Sequence, residues 1–352
     1  MRVLLVGSMP RRLSAQNFRW LAYTARALRR LGHTVIPVTY RESWASSQAV
    51  TQQLERIPGA SRTVARYEQA RQSWWNRQLV TATRRARPDL VLVLKGDALP
   101  ADLLVQVKRL ARGPLVTWWV DDPWRCPAFL PSLALFDHVF IFDRSYMPRL
   151  ASLGAARVHF LPCACDETVY RPYQLGAWQH RRFGCDISFV AWYFPERGPV
   201  VRALIDGGLN VGIWGGQWES SEARRALNGV QALRGSAIND QIAVQIYNAC
   251  KIGLNVHQEQ SRLGGLNTRT FELLASGLFP LIDRVNGLEE LLTPDAEVVC
   301  YTSPEEARTL AAHYLADPTA RTRVASRGRE RVLAEHTYVR RMQTLCELSR
   351  TT

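Results

Sequence analysis

The chain has 352 residues, of which 47% are hydrophobic and 22% are charged. Both fractions lie near the averages of globular proteins and exclude a disordered or fibrous chain, while the length predicts two domains of about 100 to 200 residues each. No apolar stretch approaches the ~20 residues that a membrane-spanning helix needs, and the one behind Met1 is too short for a secretory signal. We therefore expect a cytoplasmic protein of two domains.

The net charge of +14 is concentrated in the first hundred residues, which hold 17 Lys and Arg against 5 Asp and Glu. Most of these charges are arginines in helical segments that have few acids beside them. Such a basic face predicts an anionic partner. The partner is the inner face of a membrane, bound peripherally, or a polyanionic acceptor, and nucleic acid ranks second. The alternative is a solvated face without a partner.

The first half of the chain alternates apolar strands with helical segments. A strand over residues 1–6 is followed by a helix that begins near Asn17 and ends at Gly32, and then by a strand over residues 34–39. Further strands are predicted at Leu90–Leu94, 115–120, 139–142 and 158–161, with a helix over 101–111. Nearly continuous apolar runs are typical of parallel strands that are buried on both faces.

A second cycle follows a predicted linker over residues 162–182, which contains two prolines and a glycine and has little periodicity. Strands are predicted at 187–191, 211–214, 252–256, 279–282 and 298–301, with helices near Val200, Ile242, Phe271, Leu288 and Ala307 and beyond Ala320. The fold class is therefore α/β, with two Rossmann-like, doubly wound parallel-sheet domains facing a central cleft. We place the first domain at 1–170, the second at 171–335, and a returning C-terminal helix in 336–352.

Several signature motifs are absent from the sequence. No G-x-G-x-x-G follows the first strand and no Walker A loop occurs, which argues against nicotinamide oxidoreductases and P-loop enzymes. The seven cysteines are odd in number and contain no C-x-x-C pair, so they predict inert thiols rather than disulfides or a zinc site.

A glycine pair, Gly264 and Gly265, leads into a short helix that Gly277 ends. Asn267 and Thr268 are suited to the start of that helix. Its free N–H groups favour a pyrophosphate, and the glycines let such a group approach closely. An ordinary capped helix with solvated side chains is the alternative.

Two side chains of the same helix are candidates for binding a nucleotide. Arg269 is placed to add a charge-assisted contact to a phosphate. One turn further on, Glu272 is placed to accept hydrogen bonds from a ribose diol.

Asp121 and Asp122 follow an apolar strand and are therefore expected at the carboxyl end of the first sheet. Paired carboxylates there can act as a general base or bind an acceptor, and we rank Asp122 slightly ahead. The alternative role is to cap the turn before Pro123. A metal site is not predicted, because the pair lacks the intervening residue of a D-x-D element.

Two further residues follow strands of the second half. His257 comes directly after the strand that precedes the glycine pair, and it is the histidine that we single out for the site. Trp214, in the string W-G-G-Q-W, is a candidate contact for a nucleotide base. For both residues the alternative is a place in the core.

The string N-x-R-x-F-E-x-x-A-x-G, which begins at Asn267, resembles the donor-site segment of the CgeB-like (spore-protein type) glycosyltransferases, relatives of the retaining GT-B glycosyltransferases. Other segments resemble this family in the same order, and the resemblance extends over nearly the whole chain: W-V-D-D-P at 119–123, F-D-R-S-Y at 142–146, L-P-C-A-C-D at 161–166 and D-I-S-F-V at 186–190.

The resemblance implies the GT-B architecture and transfer of a hexosyl group, with retention, from a nucleoside diphosphate sugar to a hydroxyl acceptor. It implies no tightly bound cofactor and no metal. It also matches Arg197 with the family's basic, phosphate-binding residue, although no lysine follows nearby. Gly264 stands where the wider retaining group often has an acid, eight positions before Glu272, so the group that binds the donor sugar stays unassigned.

Two other functions remain open. One is a non-catalytic protein on the same scaffold that binds nucleic acid or anionic lipid through the basic first domain. The other is a nucleotide-sugar epimerase.

Overall fold

The computed structural model describes residues 1–9, 16–42, 61–228, 232–236, 238–258 and 264–350. The chain divides into two compact units. The first unit comprises Met1–Pro162 and Tyr338–Thr352, and the second comprises Cys163–Thr337. The sequence had placed these divisions at 170/171 and 335/336.

The first unit is built on a six-stranded sheet in which every pairing is parallel. The strand order is 2-1-3-4-5-6, so the order reverses between the first and third strands. The third and fourth strands are buried throughout, as their continuous apolar sequences predict. The strands are β1 (Arg2–Met9), β2 (Thr34–Glu42), β3 (Leu90–Leu94), β4 (Leu115–Trp119), β5 (His138–Ile141) and β6 (Val158–Phe160).

Helices cover this sheet because each has one apolar stripe. In the first helix the stripe includes Leu21, Ala25 and Leu28, all buried. Short 3-10 turns at Pro123–Arg125, Pro127–Leu135 and Arg144–Tyr146 follow the fourth and fifth strands. The helices are α1 (Gln16–Arg30), α2 (Ser61–Ala86), α3 (Ala101–Leu110) and α4 (Met147–Ser152).

The second unit contains another six-stranded parallel sheet. Spatially the strands run 12-11-10-7-8-9, so the order reverses between the seventh and tenth strands. Ile187, Phe189, Ile213 and Leu254 form part of the apolar cluster on one face of the sheet. The strands are β7 (Cys185–Val190), β8 (Val211–Trp214), β9 (Leu233–Gly235), β10 (Cys250–Asn255), β11 (Phe279–Asp283) and β12 (Val299–Tyr301).

Helices alternate with these strands, as expected for a doubly wound sheet. The predicted helix near Leu288 is only a 3-10 turn, Leu288–Glu290. Gly277 follows the predicted donor-site helix with a φ of +73°, a conformation that glycine adopts readily and that ends helices. The helices are α5 (Ala177–Phe183), α6 (Arg197–Asp206), α7 (Ser221–Ala226), α8 (Asp240–Ala249), α9 (Thr268–Ala275), α10 (Pro304–Ala316) and α11 (Pro318–Glu335).

The last helix, α12 (Tyr338–Leu348), belongs to the first unit. The Tyr338 ring packs against that of Tyr23 on α1 with 5.4 Å between centroids, and Arg341 Nε donates to the Pro162 carbonyl at 2.9 Å. Among the described residues, no helix has the length and apolarity to cross a bilayer. The predicted α/β class with two doubly wound parallel sheets is confirmed.

Candidate functional site

In the second unit the strand order reverses between β7 and β10, and ligands of doubly wound sheets bind at the carboxyl ends beside such a reversal. Arg197 lies there, at the start of α6, and is almost fully buried. Its Nε and Nη2 donate to the Val256 carbonyl at 3.2 and 3.0 Å, and Nη1 donates to the Trp192 carbonyl at 2.6 Å. The guanidinium therefore joins the segments that follow β7 and β10.

The surroundings of Arg197 disfavour the charged form of its guanidinium. Burial, with a further contribution from the charge of Arg269, lowers the pKa of Arg197 to about 10. Arg269 is half-buried, and its Nε has no solvent exposure and no hydrogen-bond partner. In the described part of the chain neither guanidinium forms an ion pair with a carboxylate. Two adjacent cations in this state favour the binding of an anion.

The start of α9 lies beside these cations. Asn267 caps the helix, because its Oδ1 accepts the backbone N–H of Thr270 at 3.1 Å. The backbone N–H groups of Thr268 and Arg269, in the first turn, have no helical acceptor four residues back. Gly265 is buried and Gly264 half-buried just ahead of the cap. The helix start therefore has the free donors that an anion site requires.

Glu272 lies on α9 one turn after the cap, and only 7% of its surface is exposed. Its carboxylate is thus largely withdrawn from solvent, on the same short helix as Arg269. The proposed contact with a ribose stays a prediction.

His257 follows β10, as expected, but its side chain has no exposed surface. Its Nδ1 lies 2.7 Å from Asp283 Oδ1, at the end of β11, and its Nε2 lies 3.3 Å from Thr270 Oγ1. This burial argues against direct contact between the imidazole and a ligand. The histidine instead connects β11 with α9.

Trp214 is also buried, with 1% of its surface exposed. Its ring lies against Gly212, two residues earlier on β8, so the indole points back along the strand and away from its carboxyl end. We therefore correct the predicted base contact to a packing role. The exposed indole near the strand reversal is Trp192, which is 48% exposed and lies against Gly216.

In the first unit, Asp121 lies at the carboxyl end of β4 and forms ion pairs. Its Oδ2 is 3.0 Å from Lys95 Nζ, and its Oδ1 is 3.5 Å from Arg125 Nη1. Lys95 follows the neighbouring strand β3, and its Nζ is also 3.7 Å from Asp97 Oδ2. Burial lowers the pKa of Lys95, but the charges of Asp121 and Asp97 outweigh burial and raise it. The lysine therefore stays protonated and holds the carboxylates together.

Asp122 has the capping role that was its alternative. Its Oδ1 accepts the backbone N–H of Trp124 at 2.9 Å at the start of the Pro123–Arg125 turn. It is also hydrogen-bonded to Tyr146, and burial, together with the charge of Asp122, raises the pKa of that phenol. Asp121 caps no helix, but its Oδ1 also accepts the backbone N–H of Asp122 at 3.0 Å.

Sequence reasoning missed Lys95, Asp97, Trp192 and Asp283. Each follows or ends an apolar strand, which is the signal that selected Asp121, so the same rule applied to every strand would have found them. Within the described ranges, no group of three or more His, Cys, Asp or Glu side chains is placed to hold a metal ion.

Comparison with solved structures identifies the class of fold as GT-B. The chain is similar to Anabaena Alr3699/HepE in complex with UDP and glucose, with a TM-score of 0.66, 12% identity and 100% of each chain covered. It is similar to sucrose-phosphate synthase from Thermosynechococcus elongatus, with a TM-score of 0.64 and 15% identity over 99% of this chain and 98% of that one.

A third similar structure is an alpha-glucosyltransferase in complex with UDP and a 13-mer DNA, with a TM-score of 0.67, 9% identity and 99% of each chain covered. At such identities these likenesses establish the fold alone. Residues 197–347, from Arg197 into α12, match the family model described as glycosyl transferase-like. No curated protein sequence matches the chain.

Proposed function

We propose that this protein is a glycosyltransferase that moves a hexosyl group from a nucleoside diphosphate sugar to a hydroxyl acceptor, with retention and without a metal ion. The observation that carries the proposal is the pair of guanidiniums, Arg197 and Arg269, beside the capped start of α9 at the strand reversal. The match of residues 197–347 with the glycosyl transferase-like model supports it.

In this proposal the second unit binds the donor and stabilises the departing diphosphate. Arg269 and the backbone N–H groups of the first turn of α9 face the negative charge that grows on the diphosphate as the glycosidic bond breaks. Fixed dipoles and cations lower the barrier of the reaction most when they face such developing charge. Gly264 and Gly265 let the phosphates approach the backbone. Glu272 accepts from the ribose, and Trp192 replaces Trp214 as the indole that borders the base.

The first unit binds the acceptor. A hydroxyl must lose its proton as it forms the new bond, and a carboxylate within hydrogen-bonding distance can orient it and take that proton. Asp121 is the better placed of the two candidates, because Asp122 already caps a turn. Lys95 keeps Asp121 in position through their 3.0 Å ion pair.

The proposal is tested by incubating the purified protein with nucleoside diphosphate sugars, first without an acceptor and then with a panel of hydroxyl acceptors. UDP-glucose is the first donor to use, because the similar HepE structures contain UDP, glucose or UDP-glucose. Release of the nucleoside diphosphate together with a glycosylated product supports transfer, and the anomeric configuration by NMR tests retention. A donor that is bound but never cleaved supports the binding protein, and an isomerised sugar nucleotide supports the epimerase.

A second part of the proposal is peripheral contact of the first unit with an anionic membrane. Helix α2 exposes a stripe of arginines at helical spacing, beside two exposed aromatic rings, Tyr67 at 43% and Trp74 at 46%. Basic side chains beside amphipathic rings suit the headgroup region of an anionic bilayer. The exposed arginines of this helix are Arg62, Arg66, Arg77, Arg84 and Arg85.

Sedimentation with anionic and neutral vesicles at low and high salt tests this contact. We expect salt-sensitive binding to anionic vesicles, because exposed charges are screened over about 8 Å at physiological ionic strength. The combined change Arg66→Gln, Trp74→Ala and Arg77→Gln should weaken it. The matched change Arg323→Gln and Arg327→Gln, at exposed positions of α11, should not. A gel shift with DNA and no vesicle binding would favour nucleic acid instead.

A further inference from the structure

Three polar side chains beneath the start of α9 have no exposed surface at all: Asn255, His257 and Thr270. Burying such groups is costly unless each finds a hydrogen-bond partner. Asn255 Nδ2 lies 3.0 Å from both Asn267 Oδ1 and Thr270 Oγ1, so the asparagine and threonine are satisfied within the network. The remaining partners of His257 show what the network does.

The carboxylate of Asp283 fixes the tautomer of His257. Asp283 Oδ1 accepts the backbone N–H of His257 at 2.9 Å and lies 2.7 Å from its Nδ1. An ionised carboxylate only accepts, so Nδ1 donates to Asp283, and Nε2 is the ring nitrogen that faces Thr270. Thr270 Oγ1 lies 3.3 Å from this Nε2 and also 3.3 Å from Asn267 Oδ1, so the hydroxyl connects the imidazole with the cap of α9.

Carboxylate, imidazole and hydroxyl thus follow one another in the order found in hydrolytic triads. Thr270 is nevertheless unsuited to act as a nucleophile. Its Oγ1 has no exposed surface and already accepts from Asn255, so a substrate cannot reach it. The chain of hydrogen bonds is therefore a structural link from the end of β11 to the first turn of α9.

That link ends where the diphosphate is proposed to bind. Thr270 follows Arg269 directly, and its backbone N–H is the one that the cap Asn267 accepts. Displacing Thr270 would therefore move the cap, the guanidinium and the free N–H groups together. We propose that His257 is a positioning residue, which acts through Thr270 to hold the start of α9 in the geometry that binds the donor diphosphate. This inference rests on the proposed function.

The experiment measures UDP affinity by calorimetry, well below the melting temperature of each variant, in the full-length protein. Thr270→Val removes the hydroxyl at similar volume, Thr270→Ser keeps it, and His257→Asn keeps a donor for Asp283 but does not reach Thr270. The loss of one such hydrogen bond predicts UDP binding about 10-fold weaker in His257→Asn. The loss should be at least as large in Thr270→Val, because that hydroxyl also bonds to Asn255 and Asn267. Thr270→Ser should stay within about 2-fold of the wild type, on the same grounds.

The double variant decides whether the two residues act through one bond. His257→Asn with Thr270→Val should bind UDP no more weakly than Thr270→Val alone, since the shared bond is already lost. Thr83→Val is the matched control: Thr83 is equally buried, its hydroxyl donates to the Leu79 carbonyl at 2.7 Å, and it lies in the first unit. It should lower the melting temperature and leave UDP affinity unchanged.

Variants that melt earlier but bind UDP like the wild type would overturn the positioning role and leave the proposed function standing. Losses that add in the double variant would also overturn it. If Thr270→Val does not fold, a UDP affinity that falls in His257→Asn but not in Thr270→Ser supports the positioning role, and equal affinities overturn it. A wild type that binds no nucleoside diphosphate would instead refute the proposed function, and this inference with it.

Discussion

The two units have similar sheets but opposite electrostatic arrangements at the carboxyl ends of their strands. In the first unit, the cations Lys95 and Arg125 pair with the carboxylates of Asp97 and Asp121 at distances of 3.0 to 3.7 Å. In the second unit, Arg197 and Arg269 lie near each other, and within the described chain neither pairs with a carboxylate. The charges of the first arrangement are already balanced. In the second arrangement, the repulsion between the two guanidiniums is reduced when an anion binds.

Ligands of doubly wound sheets bind at the carboxyl ends of the strands, and the side chains there give each sheet its own chemistry. A region whose charges are already paired suits a neutral, hydroxyl-bearing acceptor. A region with one buried and one half-buried cation suits a diphosphate. The following substitutions test this contrast between the two units.

The largest effect is expected from Asp121→Asn, which removes a charge and keeps the shape of the side chain. If Asp121 is the base, turnover should fall by about 10²- to 10⁴-fold, with unchanged donor affinity. Asp122→Asn should have a smaller effect, because its remaining oxygen can still cap the turn. Asp137→Asn, which removes a carboxylate paired with Lys108 at 2.8 Å next to the amino end of β5, is the control. Steady-state kinetics and calorimetry that show equal losses of turnover and donor affinity would place Asp121 outside the acceptor region.

The next effect is expected from Arg269→Met, which removes the half-buried cation of the second unit. Charge-assisted hydrogen bonds contribute about 1.5 to 3 kcal/mol each, so UDP affinity should fall by roughly 10- to 150-fold. Arg327→Met removes an exposed arginine of α11 and should leave UDP affinity unchanged. Calorimetric titration checks both. Equal affinities for Arg269→Met and the wild type would remove the basis of the contrast.

A smaller effect is expected from Glu272→Gln, which keeps the volume of a side chain that is only 7% exposed. Loss of the charge that accepts from the ribose diol should weaken UDP binding by about 10-fold, while inorganic pyrophosphate, which lacks a ribose, should bind as before. The melting temperature should stay within a few degrees of the wild type. If UDP and pyrophosphate lose affinity equally, the carboxylate acts on the helix and not on the ribose.

The smallest effect is expected from Lys95→Met and concerns stability. Because the carboxylates raise the pKa of Lys95 above its ordinary 10.5, its ion pairs stabilise the fold below that value and are lost as the pH rises through the raised pKa. The free energy of unfolding of the variant should therefore be about 1 kcal/mol lower than that of the wild type between pH 7 and 9. This difference should shrink above about pH 10.5. Denaturant titrations at several pH values measure it. A difference that persists unchanged at pH 11 would show that packing, and not charge, is responsible.

Strand positions in the core were predictable because burial on both faces demands continuous apolar runs. Leu90–Leu94 and Val211–Trp214 match their predicted bounds, and the other predicted strands differ by a few residues at their ends. The edge strand Leu233–Gly235 was missed, because three residues that include Arg234 carry no apolar pattern. The turn at Leu288 was predicted as a helix because its apolar residues are spaced like those of one.

The sequence predicted which strand ends carry the residues of the candidate site. It did not predict which of these residues contact one another. Lys95 and Asp121 are 26 residues apart and meet only because β3 and β4 are neighbours in the sheet. Trp214 was expected to face the ligand, but its ring folds back over Gly212, and the sequence does not encode that direction in any recognisable pattern. His257 was found by its place after a strand, while its link to Thr270 required the fold.

The chain passes from one unit to the other twice, at 162/163 and at 337/338. These two points are neighbours in each unit. In the second unit the backbone N–H of Cys165 donates to the His336 carbonyl at 3.1 Å, and in the first unit Arg341 bonds to the Pro162 carbonyl. The second unit is therefore an insertion into the first, which enters and leaves at neighbouring points. A fragment that ends at Pro162 would lack α12 and uncover the face of α1 around Tyr23. Joining Pro162 to Tyr338 through a short linker would instead yield the first unit as one continuous chain. Residues 163–337 would then form a separate chain that contains the whole second unit.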